Sequence, residues 1–238
     1  MEWRTDGLIL RAIDYKENDK ILTILTPLDG KITAGIRGVR KPKAKLAFAA
    51  QPFCFAEYVL AKSRDRNTVV SAYLYDGFYP VREDIVRYYA ACAAMEICDV
   101  LTDENVDVKG LFVGAVECLK ELALTEGDCA EIFVSFALVA LRESGYAIDL
   151  DGCGICGAKM DQTPYFDLSS GQFTCGECAV GVRAKKETYE FLRKCSGLSY
   201  EEADFSESGK RALKLIRAYL IEKTDEEYPC LGEFIKLY

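Results

Sequence analysis

Over the first 80 residues apolar and polar positions alternate in short runs. "TDGLILRAIDY", "DKILTILT", "GKITAGIRG", "QPFCFAEYVLAK" and "NTVVSAYLYDGF" are rich in β-branched and aromatic residues and read as strands. Asn18-Asp19, Asp29-Gly30 and Asp65-Arg66-Asn67 separate them as turns. Five short strands predict a small closed barrel, with the five-stranded OB-fold as first candidate. An OB-fold often carries a helix between its third and fourth strands; here that interval holds a proline-containing basic segment, so a neighbouring domain is expected to cover that barrel end.

After Pro80 the period changes. "VREDIVRYYAACAAMEICDVLTDE" is apolar almost all round between Ile85 and Leu101, as a helix at the centre of a bundle must be. "VKGLFVGAVECLKELAL" and "CAEIFVSFALVALRESGY" predict two further helices. A Gly- and Cys-rich stretch, 151–181, follows, then helical patterns near 187–195 and 207–223 and a short terminal "LGEFIKLY". The expected fold is α+β in two domains. Residues 1–80 form an OB-fold nucleic-acid-binding domain, and residues 81–238 an all-helical domain with a four-cysteine zinc-binding insertion at about 150–182.

Composition narrows the chemistry. Half of the 238 residues are apolar, enough to build cores in one large or two modest domains. The longest apolar stretch, 132–141, is half what a bilayer requires and contains Ser135. The first twenty residues lack the basic, apolar and small-residue succession of a secretory signal. A soluble cytoplasmic protein is expected. Eleven cysteines, an odd number, suit reduced thiols and a metal site better than a disulfide framework. The absence of histidine removes His ligands, His general bases and Ser-His or Cys-His catalysis.

Cys153, Cys156, Cys175 and Cys178 stand as C-x2-C, eighteen residues, C-x2-C, within the spacing of zinc sites. Two residues between thiolates let both face one tetrahedral ion, and glycines at 154, 157 and 176 relieve crowding at the turns. The four thiolates would close a structural Zn2+ site. Scattered core cysteines and an iron–sulfur or redox site are the alternatives. Cys54, Cys92, Cys98, Cys118, Cys129, Cys195 and Cys230 lie at irregular intervals in apolar segments and read as core residues.

Charge is uneven. Residues 1–80 carry 13 Lys and Arg against 9 Asp and Glu, whereas 81–238 carry 17 against 29, in a chain of formal net charge -8. Arg37, Arg40, Lys41, Lys43 and Lys45 fall within nine residues, and no acidic residue occurs between Asp29 and Glu57. A charge run is usually a solvated face. In a barrel of this kind the same run suits a phosphate backbone, because screening over roughly 8 Å lets a local cluster act despite distant carboxylates. Phe48, Phe53, Phe55 and Tyr58 could stack on bases, although barrel core or interdomain packing is the commoner use of such residues. A weaker stripe, Lys210, Lys214 and Arg217, reads as a solvated helix face.

"DYKENDKILTILTPLDGKITAGIRGVRKPKAKL" resembles the N-terminal motif of the bacterial recombination mediator family RecO, and the likeness runs on through "REDIVRYYAACAAMEICDVL", "LRESGYAIDLDGCGICG" and "CGEC". The resemblance implies an N-terminal OB-fold, a helical C-terminal domain and, in many members, a four-cysteine zinc site. It also implies a non-catalytic task at the nucleoid. That task is binding single- and double-stranded DNA, annealing complementary strands and, with RecR, helping RecA replace single-strand-binding protein. Arg37, Arg40, Lys41 and Lys43 take the positions of the family's basic DNA-binding segment; Lys45 is added by proximity. Ala44 stands where members often have Ser, and "IEKTDEEYPCLGEFIKLY" lacks the family's usual His-Leu-Gly run.

Two other functions compete. A Mg2+-dependent nuclease or ligase would need clustered carboxylates, for which Asp14, Glu17 and Asp19 are the nearest group. A zinc-containing protein-interaction scaffold would use the acidic helical half to meet a basic partner, with nucleic-acid binding incidental.

Overall fold

The computed structural model describes residues 2–64, 66–160 and 163–238. Strands β1 (Glu2–Tyr15), β2 (Asp19–Thr26), β3 (Gly30–Ile36), β4 (Phe55–Ser63) and β5 (Arg66–Asp76) close into a barrel in the order β1-β2-β3-β5-β4. β3 and β5 are parallel, joined through Ala34–Asn67 and Gly35–Thr68, and the other pairs are antiparallel. This is the OB-type barrel that the alternating runs predict. β1 serves two neighbours: Glu2–Leu8 pairs with β4, and Leu8–Tyr15 with β2, with an irregularity between Ile9 and Arg11, where an extra residue bends the strand from one partner to the other. Arg66 and Asn67, expected in a turn, begin β5, and Asp65 lies outside the described residues.

Alternation decides which residues point inward. Ile9, Leu22, Ile24, Ala34, Ile36, Tyr58 and Leu60 fill the barrel. The β3–β4 interval supplies a plug of its own, and its far end, Pro52 and Phe53, meets Arg82 and Tyr88 of the helical part. A 3₁₀ turn, Phe48–Ala50, buries Ala49 and Ala50, and the Tyr58 hydroxyl donates to the Ala49 carbonyl at 3.0 Å.

Helices α1 (Ile85–Leu101), α2 (Lys109–Leu124) and α3 (Cys129–Glu143) follow. Asp84 caps α1 by accepting from the amides of Val86 and Arg87, and Asp128 caps α3 by accepting from Ala130. α1 is the central helix, burying Ala90, Ala91, Ala93, Ala94, Met95, Ile97 and Cys98. Three short strands, β6 (Tyr165–Asp167), β7 (Gln172–Thr174) and β8 (Val182–Arg183), form a sheet in the order β7-β6-β8. Two or three residues per strand are too few to show a period in sequence. α4 (Lys186–Cys195), α5 (Ser208–Thr224) and α6 (Pro229–Leu237) complete the fold. The acidic terminal stretch is structural: α6 buries Leu231, Phe234 and Ile235, and the Glu96 carboxylate on α1 accepts from the amides of Cys230 and Leu231 at 3.0 and 3.1 Å, satisfying donors that a helix start leaves open. Among the described residues no helix is long and apolar enough to cross a membrane.

Besides the core inside the barrel, a second core joins the barrel to the helices. Leu8, Leu10, Leu25 and Phe53 are buried in the same cluster as α1 and α2, and Phe53 meets Tyr88 edge-on with ring centres 5.6 Å apart. Backbone bonds sew the β2–β3 turn to the α1–α2 loop: Lys31 donates to Asp103, Asn105 to Asp29, and Val108 to Pro27. Asp99 on α1 receives both Arg11 and Lys31 at 3.0 Å. The helices therefore cover one half of the outer face of β1–β2–β3, around Leu8 and Leu25, and leave the half nearest the basic segment open.

Candidate nucleic-acid interface and metal centre

The basic segment leaves β3 at Ile36 and crosses the barrel end as turns. Two tethers fix its start. The Gly38 amide donates to Asp19 Oδ1 at 2.8 Å. Arg40 pairs with Asp14 at 3.1 Å and donates to the carbonyls of Lys16 and Glu17 in the β1–β2 turn. Val39, Leu46 and Phe48, packed against the barrel core, hold the rest. Arg37, Arg40, Lys41, Lys43 and Lys45 are all exposed. Among the described residues Arg37, Lys41, Lys43 and Lys45 form no ion pair, so four cations face solvent together while Arg40 is partly spent on holding the loop. A shallow cleft of about 550 Å3 runs between the β1–β2 turn and this segment, lined by Lys16, Glu17, Asn18, Asp19, Arg37, Gly38 and Lys41.

These tethers engage two of the three carboxylates that a metal-dependent nuclease would need, whereas Glu17 lines the cleft and lends the loop only its backbone carbonyl. Asp14 holds Arg40 and Lys20, and Asp19 holds the Gly38 amide. Both are committed to positioning the loop.

The aromatic run is packing. Phe53 and Tyr58 are buried, Phe55 lies against Phe112 of α2 with ring centres 5.9 Å apart, and Phe48 leans on the barrel core. Base stacking by Phe53 or Tyr58 is thereby overturned. In the weaker stripe Arg217 pairs with Glu227 at 2.8 Å, so that face is not a row of free charges.

Cys153, Cys156, Cys175 and Cys178 converge, with all four Sγ atoms within 4.8 Å of one another and Cys156 3.7 Å from Cys175. Zinc–sulfur bonds of about 2.3 Å put the edge of a tetrahedron near 3.8 Å, so the set fits a single ion and is too tight to surround a multi-iron core. No pair is a disulfide. Desolvation opposes ionisation of Cys153, but the amides of Cys156, Cys175 and Ile155 bring its pKa down to about 6, and the Cys175 N–H points at its sulfur from 3.4 Å. Such amides favour the thiolate a metal needs. Gly157 has φ +72°, the left-handed turn that glycine adopts freely. Gly154 lies against Gln172, whereas nothing crowds Gly176, so crowding explains only part of the glycine pattern. The insertion also has apolar material that the sequence pattern hid. Phe166 and Phe173 meet at a tilt of 46° with ring centres 4.8 Å apart, and they pack on Tyr219 of α5 and Tyr189 of α4. The Tyr189 hydroxyl donates to Leu150 and accepts from Gly152 at the root of the first knuckle. Of the other seven cysteines, Cys54, Cys98 and Cys118 are buried and the rest half-buried.

Sequence reasoning passed over Lys16, which joins the cleft through the β1–β2 turn, and the exposed Lys62, Arg64 and Arg66 of the β4–β5 hairpin. Arg64 lies in the loop between strands four and five that OB-folds use for oligonucleotides, with Lys62 near the end of β4 and Arg66 at the start of β5, and their short "KSRDR" spacing was the available signal.

Residues 1–78 match the family model described as "Recombination protein O N terminal", and residues 82–228 that of "Recombination protein O C terminal". The DNA repair protein RecO of Acetivibrio thermocellus is 30% identical over 245 residues, covering 98% of this chain and 96% of its own. Its namesake in Clostridium perfringens is 28% identical over 236 residues, covering 97% and 96%. That of Myxococcus xanthus is 33% identical over 198 residues, covering 81% and 78%.

Proposed function

The chain belongs to the RecO family, and from that premise we propose that it is a recombination mediator in DNA repair. It binds single- and double-stranded DNA through residues 1–80, anneals complementary strands and, with RecR, helps load RecA onto DNA coated by single-strand-binding protein in the cytoplasm, at the nucleoid. The observation that carries this reading is the exposed quartet Arg37, Lys41, Lys43 and Lys45, on a segment tethered to an OB-type barrel and free of ion pairs among the described residues. Such cations offset the repulsion of two phosphate backbones, and they position a strand without reading its sequence. The task needs no bond chemistry. Residues 81–238 form the partner-docking part, in which Cys153, Cys156, Cys175 and Cys178 hold a structural Zn2+.

The test is an annealing assay on complementary strands coated with single-strand-binding protein, with and without RecR. Wild type accelerates annealing and RecA assembly; a variant with Arg37, Arg40, Lys41, Lys43 and Lys45 replaced by Gln does neither while keeping its fold. Equal rates for the two proteins would refute the assignment of this segment.

A further inference from the structure

Two cysteines outside the quartet meet across a helix–helix contact. Cys92 stands on α1 one turn before Glu96, and Cys230 lies in the first turn of α6. The Cys230 amide donates to Glu96 Oε1 at 3.0 Å and the Leu231 amide to Oε2 at 3.1 Å. That cap sets the start of α6 against the Tyr88–Cys92–Glu96 stripe, residues four apart on one face of α1. It leaves the Cys92 and Cys230 thiols in hydrogen-bonding contact. Both residues are half-buried, and Pro229 beside Cys230 is exposed, so a small solute can reach the pair. The buried side of α1 is built on Ala90, Ala91, Ala93 and Ala94, and size alone would be served at position 92 by another alanine.

The surroundings give the two thiols different characters. The hydrogen bond from Cys230 brings the Cys92 pKa down; burial opposes this, and the Tyr88 hydroxyl adds to the lowering. The contact with Cys92, then burial and the Glu96 carboxylate, push Cys230 up. Burial holds Cys54, Cys98, Cys118, Cys129 and Cys195 up as well. A thiolate is the form that attacks an oxidant. The helix that Cys230 opens depends on its contacts for order, because nine residues are too few to persist alone. Phe234 meets Phe133 of α3 with ring centres 5.5 Å apart, and at the far end the Tyr238 hydroxyl donates to Asp128 Oδ2 at 2.7 Å. The near end has only the Glu96 cap and the two thiols.

We propose that Cys92 and Cys230 form a reversible thiol–disulfide site that a hydroperoxide closes, locking α6 onto α1. The Cys92 thiolate attacks the peroxide, so that an S–O bond forms as the O–O bond breaks, and the departing oxygen takes the proton that Cys92 released and leaves as an alcohol or water. The Cys230 sulfur then attacks the Cys92 sulfur. The S–S bond forms, the S–O bond breaks, and the hydroxide leaves as water with the Cys230 proton. Two electrons pass from the pair of sulfurs to the peroxide, and a dithiol reductant returns them. The site stands apart from both the basic segment and the cysteine quartet, and it does not depend on the nucleic-acid function.

The test titrates the full-length protein with hydrogen peroxide, blocks remaining thiols with N-ethylmaleimide and maps unreduced peptides by mass spectrometry. Wild type should give a peptide joining residues 92 and 230 before the quartet oxidises, and dithiothreitol should split it. Hydrogen exchange of the α6 amides should slow by about tenfold or more in the oxidised protein, since the bridge suppresses local opening of the helix. Its thermal midpoint should rise by about 5 °C or more, because the bond closes a loop of roughly 140 residues. Two variants check the order of events. In Cys230→Ala the reaction should stop at Cys92 as a sulfenic acid captured by dimedone, whereas in Cys92→Ala the Cys230 thiol should stay reduced. A titration that oxidises the quartet without ever joining residues 92 and 230 would overturn the site. Equal α6 exchange in the reduced and bridged proteins would overturn the lock, and capture of dimedone by Cys230 in Cys92→Ala with none by Cys92 in Cys230→Ala would overturn the assigned nucleophile.

Discussion

Residues 37–47 and 151–181 pose one folding problem, since the first has no strand or helix and the second only the short β6 and β7, and the chain solves it by different means. The basic segment is held from outside. Asp14 and Asp19 tether its start, and Val39, Leu46, Ala49 and Ala50 anchor it in the barrel, so Lys41, Lys43 and Lys45 contribute little to its order. The cysteine insertion is held from inside: four sulfurs within 4.8 Å set the two knuckles together, and Phe166 and Phe173 dock the result on α4 and α5. Charge other than that of Arg40 can thus be removed from the first region without touching a tether, whereas the donor atoms of the second are the shape. The proposed ligand surface is thus separate from its own scaffolding, and the proposed metal knuckle is not.

The largest expected effect falls on the second region. Chelation, or Cys175→Ser, should lower the thermal midpoint by about 10 °C or more, because metal binding and folding are coupled in such sites. Limited proteolysis should then cut within 151–181; an intact insertion after metal removal would break the contrast. Next comes the joint between the halves. Phe53→Ala removes a fully buried ring facing Tyr88 and should cost about 3–5 kcal/mol in a denaturant titration, although the residue adjoins the basic interval in sequence. Replacing all five cations by Gln should leave the thermal midpoint within a few degrees while weakening single-stranded DNA binding at least tenfold at low salt. A matching loss of stability would show that the charges are scaffolding after all. The smallest effect separates members of the cluster. Arg40→Gln removes the Asp14 pair and should cost up to about 1 kcal/mol of stability, the scale of an exposed ion pair. Lys43→Gln should cost almost none and reduce DNA affinity more.

Strand and helix positions were legible because their periods are long enough to count, as in "DKILTILT", which is β2 without a residue to spare, and in Ile85–Leu101. The cysteine quartet was legible because ligand spacing is a local property. Three features were not. β6–β8 are too short to carry a period, so the Phe166–Phe173 pair was invisible until the sheet placed it. The plug at Ala49 and Ala50 follows from the path of a loop, which sequence pattern does not encode. The role of the aromatics stayed open between stacking and the commoner packing, and only the burial of Phe53 and Tyr58 decides for packing. Pairing also showed that Arg40, grouped with its neighbours by composition, is the one partly committed to the loop.

The most direct test of the central claim is the salt dependence of single-stranded DNA binding for wild type and the five-residue Gln variant. Each phosphate contact contributes about 0.7 to the slope of log K against log salt, so four to five cations predict a wild-type slope near -3 and a much shallower one for the variant. Equal slopes for two equally folded proteins would mean that the exposed cations meet no phosphate, and the segment would be a solvated loop.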